Sequence, residues 1–176
     1  MRIFKFKKID STQKKAIEMI KTQKAKPWTV IFAETQKKGI GRKGNFWYSP
    51  KGGLYFSIIL PPTKIEDVEI LTNLAAFWIS KVIFEKFHCK PLIKFPNDVY
   101  LNGKKVAGIL TQNLIFGKKI FSVIGIGINT NIEHFPDDLK EKATSFFLEF
   151  GKKINNENFL KEILKEIYKG LRKINV

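Results

Sequence analysis

Residues 29–60 read TVIFAETQKKGIGRKGNFWYSPKGGLYFSIIL, and this stretch decides the fold. Its two ends are apolar: the runs Pro27–Ala33 and Leu54–Leu60 each predict a buried β-strand. Between them, Thr35–Gly53 has five glycines, one proline and no apolar periodicity, which predicts a long loop. Loops of this length inside a compact domain are usually either functional or disordered.

The segment Gly39–Gly44 in this loop has the pattern G-x-G-x-x-G, which also occurs in dinucleotide-binding turns. Those turns require a helix that begins at the third glycine, so that its N-terminus faces a pyrophosphate. Here Asn45–Gly53 follows, with a proline and two further glycines, and the chain enters a strand instead. The context excludes a Rossmann turn. It leaves a loop whose amides and basic residues, Arg42 and Lys43, could bind phosphate, or a loop that is simply solvated.

The rest of the chain predicts a mixture of strands and helices without strict alternation. The predicted elements are a strand at Arg2–Ile9, a short amphipathic helix capped by Asp10-Ser11-Thr12, a long helix from Val68 to Ile83, a strand at Leu92–Phe95, a hairpin at Val99–Asn113 around Asn102-Gly103, a turn at Gly117-Lys118, a strand at Lys119–Asn129 and a final helix at Phe159–Leu171. We therefore expect one α+β domain over residues 1–176, with a mixed β-sheet and helices packed mainly on one side.

Composition narrows the function classes. The chain has 176 residues, 44% of them apolar, which suits one core, and its formal charge is +16. Lysines are spread along the whole chain, which favours a solvated basic surface over a nucleic-acid footprint, although a positive field also suits an anionic substrate. No segment predicts a membrane span or a secretory signal, so we expect a cytoplasmic protein. One cysteine and two distant histidines predict neither an internal disulfide nor a side-chain metal cage.

Two further segments contain candidate ligand-binding residues. Lys94 ends an apolar strand before Pro96, so it would need either an anionic ligand or a salt bridge, for example to Asp98. In Ile120–Asn129, strand alternation places Gly125, Gly127 and Asn129 on one face. A strand face without side chains indicates a ligand or another backbone close to it, and tight helix packing is the alternative. Tyr55 and Ser57 share one face of their strand and could be polar groups of a site or ordinary core-edge residues.

Four segments taken together resemble one family. They are Asp10–Gln13, then Gln36–Gly44 with Trp47–Ser57, then Lys94–Asp98 with Lys105–Leu110, and finally Gly125–Asn131. They occur in family order and resemble the catalytic domain of a biotin protein ligase, which has a class II synthetase or biotin/lipoate ligase-like fold. The resemblance implies an ATP-dependent ligase that forms biotinyl-5′-adenylate from biotin and MgATP. The biotinyl group would then pass to the acceptor lysine of a biotin carboxyl carrier protein.

The resemblance also implies roles for individual residues. Lys94 and Arg42 would be catalytic. The biotin-binding residues would be Ser11, Thr12, Gln36, Gly39, Tyr55, Lys94, Gly108, Gly125 and Gly127. The residues for ATP or the adenylate would be Gly41, Arg42, Trp47, Asn129 and Asn131, with Mg²⁺ bound to ATP and not held by a side-chain cage.

The sequence departs from the family pattern in places. Ile40 and Asn45 stand where the family usually has arginines, which predicts weaker retention of the adenylate. Only nine residues precede Asp10, and the chain stops at Val176, so we expect neither an N-terminal DNA-binding domain nor a small C-terminal β-barrel. We expect no DNA or membrane binding, and a homodimer is compatible with the sequence. The alternatives are a lipoate or octanoyl ligase or transferase of the same fold, and a basic nucleic-acid-binding module.

Overall fold

The computed structural model describes residues 1–62, 68–116 and 119–173. Its elements are β1 (Arg2–Phe6), α1 (Thr12–Lys21), β2 (Thr29–Ala33), β3 (Leu54–Ile59), α2 (Val68–Phe87), β4 (Leu92–Lys94), β5 (Asp98–Leu101), β6 (Lys104–Phe116), β7 (Lys119–Ile128), α3 (Phe146–Phe150) and α4 (Asn156–Lys173). A single 3₁₀ turn, Arg42–Gly44, lies in the loop between β2 and β3. No helix in the described ranges is long and apolar enough to cross a membrane.

The strands form one mixed sheet. Its order in the described part of the chain is β1-β2-β3-β7-β6-β5-β4, with β1 and β2 parallel and the other neighbours antiparallel. The sequence prediction of a mixed sheet in an α+β domain is confirmed. The two long apolar strands β3 and β7 lie side by side at the centre, where Gly125 pairs with Ser57 and Gly127 with Tyr55.

The two faces of the sheet carry different helices. On β3, Leu54, Phe56 and Ile58 belong to the main core with α2 and α4, whereas Ile59 packs with α1 on the opposite face. The long helices therefore cover one face, as predicted, and the short α1 leaves part of the other face open. The second face holds the cavity described below.

Local chemistry explains where several elements begin and end. The Ser11 side chain accepts a hydrogen bond from the Lys14 amide and caps α1, as the sequence predicts. Asn102 and Gly103 have φ values of 47° and 81°, as a tight turn between β5 and β6 requires. The predicted turn at Gly117-Lys118 lies outside the described residues.

The structure differs from the sequence prediction at several boundaries. Strand β1 stops before Ile9, β4 stops before Phe95 and β7 stops before Asn129. Helix α3 was not predicted, because its five residues are too few to show a helical period. Ser145 caps it by accepting a hydrogen bond from the Leu148 amide.

Candidate active site

A cavity of about 320 Å³ lies on the sheet face that carries α1, beneath the glycine-rich loop. Its walls come from the first turn of α1, the loop between β2 and β3, the β5–β6 hairpin and the centre of β7. A wider groove of about 520 Å³ lies between α2 and α4, and its walls contain ion pairs such as Lys86 with Glu162 at 3.0 Å. The first cavity, unlike this groove, brings together motifs that the sequence singled out.

The predicted bare strand face lines this cavity. It consists of Gly125 and Gly127 in β7 with Gly108 opposite Gly127 in β6. Two side chains lie on it. A Cβ at Gly125 would lie 2.5 Å from the Gln13 amide oxygen, and a Cβ at Gly127 would lie 2.6 Å from Cε2 of Trp47. A helix residue therefore covers one part of the face and a loop residue covers another.

One end of the cavity, which we call the polar end, consists of Ser11, Thr12, Gln13, Gln36 and Ser57. The Gln36 side-chain oxygen accepts from the Thr12 amide at 2.8 Å and from the Thr12 hydroxyl at 3.1 Å. The Gln36 amide nitrogen donates to Ser49 Oγ at 2.9 Å. These bonds join the start of α1 to the glycine-rich loop and fix the orientation of Gln36.

Ser57 has one hydroxyl proton and two acceptors in reach. Its Oγ lies 2.9 Å from Thr12 Oγ1 and 3.1 Å from Gln13 Oε1. A hydroxyl donates one hydrogen bond at a time, so one of these two acceptors keeps capacity for a donor from outside the protein. Ser57, Thr12 and Gln13 are all buried. The polar end is thus suited to a neutral ligand group that carries N–H donors.

The other end, which we call the cationic end, consists of Arg42, Asn97, Asp98 and Lys105. Arg42 Nη1 donates to Asn97 Oδ1 at 3.1 Å, and Asn97 Nδ2 donates to Asp98 Oδ1 at 2.8 Å. Lys105 Nζ lies 2.7 Å from the same Asp98 oxygen. The chain of contacts holds two cationic side chains at one end of the cavity, where an anionic group would meet them.

Sequence reasoning assigned no role to Lys105, and a strand irregularity explains why. Strict alternation along β6 would place Lys105 on the face opposite Gly108. However, Val99 pairs with Ala107 while Tyr100 pairs with Lys105, so β6 contains one extra residue at this point. This bulge turns Lys105 to the cavity face. The bulge leaves no signal in the hydrophobic pattern.

Lys94 lies elsewhere than expected. It pairs with Asp98 in register, so it shares the sheet face of the cavity, but it belongs to the edge strand β4. Its side chain is exposed, its ammonium lies 5.8 Å from the centre of the Tyr100 ring, and it does not line the cavity. The sequence suggested a salt bridge between Lys94 and Asp98. In the structure, Asp98 pairs with Lys105 instead.

Trp47 lies between the two ends. Its backbone is held, because its amide donates to the Gly39 carbonyl at 2.9 Å and its own carbonyl accepts from Ser49 Oγ at 2.9 Å. Its indole lies against Gly127 and Gly108, with the Lys105 ammonium 5.1 Å from the ring centre. The indole nitrogen is buried and has no hydrogen-bond partner in the described part of the chain. A ligand that occupies the bare strand face must displace this indole.

A second, smaller cavity adjoins the first across Trp47. It measures about 170 Å³, and its walls include Phe46, Tyr48, Asn129 and Phe135. The Asn129 amide nitrogen donates to the Thr144 carbonyl at 3.0 Å. This aromatic cavity lies next to the cationic end, since both contain Lys105.

Besides Lys94, three predicted ligand residues lie outside both cavities. Tyr55 is fully buried and donates from its hydroxyl to the Pro50 carbonyl at 2.9 Å, and burial raises the pKa of its phenol above the ordinary range. Gly39 allows the carbonyl of Trp47 to approach closely. Asn131 exchanges two hydrogen bonds of 2.9 Å with the backbone of Ile154. Here all three support the loops around the site. Gly41 and Arg42 do line the main cavity.

Comparison with known proteins agrees with this geometry. The model of the biotin/lipoate A/B protein ligase family matches residues 5–129. The chain belongs to this family. It is 39% identical over 161 residues to the bifunctional ligase/repressor BirA of Bacillus subtilis. The aligned region covers 89% of this chain and 49% of that protein. The chain is 30% identical over 134 residues to the biotin–[acetyl-CoA-carboxylase] ligase of Paracoccus denitrificans, covering 73% and 53%.

A family structure shows the same architecture. The biotin protein ligase from Aquifex aeolicus in complex with biotin and ATP superimposes with a TM-score of 0.86 and 34% identity, covering 98% of this chain and 71% of that one. The fold of this family is therefore the fold of the chain. The chain spans about half the length of the curated relatives it matches.

Proposed function

We propose that this chain carries the catalytic site of an ATP-dependent biotin protein ligase. One observation carries the proposal: a buried polar end and a cationic end are joined by a strand face without side chains. Biotin has a ring with N–H donors at one end and a carboxylate at the other. It would place its ureido ring at the polar end and its carboxylate near Lys105 and Arg42. The names of the relatives and the Aquifex aeolicus complex support this assignment.

The polar end favours biotin over a lipoyl or octanoyl group. A dithiolane ring and an alkyl chain carry no hydrogen-bond donor, so whichever of Thr12 Oγ1 and Gln13 Oε1 does not accept from Ser57 would be left without a donor. An unsatisfied buried polar group costs about 1–3 kcal/mol. The ureido N–H groups avoid this cost.

The first step would join biotin to AMP. An oxygen of the biotin carboxylate attacks the α-phosphorus of ATP, the bond to the bridging oxygen breaks and pyrophosphate leaves. The carboxylate and the phosphates repel each other, so fixed positive charge in the site lowers the barrier. Lys105 and Arg42 are the cations of this chain that line the cavity together with Lys43.

Magnesium would enter with the triphosphate. No group of three or more His, Cys, Asp or Glu residues in the described ranges could hold a metal ion. Asp98 lines the cavity, but Lys105 already pairs with it at 2.7 Å. Phosphate oxygens would therefore supply most of the metal ligands, as is usual for Mg²⁺ in nucleotide sites.

The adenosine would occupy the second cavity. Its aromatic side chains could stack on a purine, and Trp47 would separate the adenine from the biotin ring. Since Ile40 and Asn45 add no cation to the loop, Arg42 would carry a large share of the phosphate contacts. Closure of the glycine-rich loop would then exclude water from the mixed anhydride.

In the second step, the ε-amine of an acceptor lysine would attack the biotinyl carbonyl carbon. AMP leaves and the amine loses a proton to solvent. The acceptor would be the lysine of a biotin carboxyl carrier protein domain.

Calorimetry with biotin and lipoate, followed by an assay of pyrophosphate release, tests this proposal. We expect biotin binding, biotin-dependent release of pyrophosphate, and an acceptor domain that gains one biotinyl group by mass spectrometry. Lipoate-dependent release without biotin-dependent release would favour the lipoate ligase. Tight binding of oligonucleotides with no pyrophosphate release would favour the nucleic-acid module.

A further inference from the structure

We propose that Gln13 sets the depth of the cavity at its polar end and thereby determines which ring the site accepts. The inference rests on the proposed function, because it concerns how the biotin ring is selected. Gln13 is the second residue of α1 and is 4% exposed. Its carboxamide contacts all three central strands that form the floor of the cavity: β3 through Ser57, β6 through Gln112 and β7 through Val123.

The hydrogen bonds of Gln13 fix which way its amide faces. Nε2 donates to the Val123 carbonyl at 3.3 Å and to Gln112 Oε1 at 3.0 Å. A backbone carbonyl can only accept, so a flipped amide would set two oxygens against each other. Oε1 must therefore face Ser57 and Gly125.

The same oxygen occupies the space that a side chain on β7 would take. A Cβ added at Gly125 would lie 2.5 Å from Gln13 Oε1, closer than atoms in a packed interior approach. The strand is bare at Gly125 because Gln13 fills that volume. Trp47 covers the other two glycines of the face with an indole whose nitrogen has no partner among the described residues, so that cover can move. Gln13 is the fixed boundary.

A ring that reaches Gln13 must present a small donor there. A free ureido N–H can reach the acceptors at Gln13 and Thr12, whereas a methyl group on that nitrogen removes the donor and needs volume that Gln13 occupies. We therefore expect the wild-type protein to reject biotin methylated on the ureido nitrogen that faces Gln13. Shortening Gln13 should relax that rejection.

Calorimetry with biotin and the two N-methyl ureido isomers tests the proposal on the full chain. Wild type, Gln13→Asn, Gln13→Ala and Gln112→Ala are compared, with Lys14→Ala as a control on the same helix turn. We expect Gln13→Ala to bind biotin about tenfold more weakly, because buried acceptors and donors lose a partner. For one isomer, the ratio of its Kd to that of biotin should fall at least about tenfold in this variant.

The other variants separate volume from hydrogen bonding. Gln13→Asn should change the ratio in the same direction by less, and it provides the test if Gln13→Ala does not fold. Gln112→Ala keeps the volume of Gln13 and should retain the wild-type ratio. If wild type binds biotin and both Gln13 variants discriminate as wild type does, the role of Gln13 is wrong and the proposed function stands. If wild type does not bind biotin, the proposed function and this inference are both wrong.

Discussion

The two ends of the main cavity differ in how many of their polar groups are hydrogen-bonded within the protein. At the polar end, Thr12, Gln13 and Ser57 are buried on regular elements; Thr12 and Gln13 each donate two hydrogen bonds, and the Ser57 hydroxyl has two acceptors in reach. At the cationic end, Arg42 is exposed on a 3₁₀ turn, and nearby the buried nitrogen of Trp47 lacks a partner in the described ranges. The polar end is therefore more fully hydrogen-bonded within the protein than the exposed turn beside the cationic end.

This difference matches the chemistry that the proposed function assigns to each end. Neutral ring recognition gains from fixed donors and acceptors, because groups that are already ordered lose little entropy on binding. Nucleotide binding and release would require a loop that opens and closes, and a loop with fewer hydrogen bonds to the rest of the protein would move at a lower cost. Substitutions at the two ends should therefore have different signatures.

The largest expected effect is the loss of Lys105. Lys105→Ala should slow biotin-dependent pyrophosphate release on the order of 10²- to 10³-fold, the usual cost of removing a charge that stabilises a transition state. Biotin affinity should change less, because the variant loses one ground-state contact to the carboxylate and keeps every contact to the ring. Single-turnover pyrophosphate release and calorimetry measure the two quantities.

Two other lysines test the specificity of that effect. Lys104 is the adjacent residue, but it interacts with Glu141 and the Lys140 carbonyl away from the cavity, so Lys104→Ala should release pyrophosphate as wild type does. Lys94→Ala tests the role implied by the sequence resemblance. A loss as large as that in Lys105→Ala would show that Lys94 reaches the ligand despite its exposed position.

The lysines also show what sequence could and could not predict. Alternation correctly placed Gly125 and Gly127 on one strand face, and the cap at Ser11 was visible in its residue type. Those features depend on local geometry that repeats along the chain. The position of the Lys105 side chain depends on one extra residue in β6 opposite Val99 and Tyr100. The position of the Tyr55 side chain depends on a hydrogen bond to the carbonyl of Pro50 in the loop. Long-range register and loop paths have no periodic signal.

A matched pair of glycine substitutions should separate the two ends next. Gly127→Val places its new atoms against the Trp47 indole, so the indole should shift. Because the valine side chain also occupies the strand face that biotin would cover, biotin affinity should fall roughly tenfold to hundredfold. Gly125→Ala meets Gln13, which is locked, so its main cost should be about 1–3 kcal/mol of stability.

Thermal unfolding and biotin calorimetry on both variants measure the contrast. At about 2–4 °C per kcal/mol for a chain of this size, Gly125→Ala should melt several degrees lower, while Gly127→Val should melt close to wild type. Equal loss of stability in both variants would contradict the distinction between a rigid and an adaptable cover.

A smaller effect is expected at Arg42. Arg42→Gly should speed dissociation of biotinyl-5′-adenylate about tenfold to hundredfold, because one charge-assisted contact to phosphate is lost, and released adenylate should label lysines on a bystander protein. Stopped-flow dissociation measures the rate. Lys43→Gly removes the same charge one residue later, where φ is already 56° and glycine fits, so it is the matched control. Identical rates in both variants would assign the effect to overall loop charge.

The smallest effect should come from Tyr55, which supports the loop without lining either cavity. Tyr55→Phe leaves the Pro50 carbonyl without its donor and should cost about 1 kcal/mol of stability, with biotin affinity unchanged.

The sign of the pH dependence follows from burial, which raises the pKa of the Tyr55 phenol in the folded state. Above about pH 10, where an unfolded tyrosine ionises, the folded state holds its proton more tightly, so wild-type stability should fall with rising pH. The advantage of wild type over Tyr55→Phe should therefore be full below pH 10 and shrink above it. Urea unfolding of both proteins across this range measures it. A weaker affinity for biotin in Tyr55→Phe would instead place Tyr55 in the slot that the sequence resemblance implied.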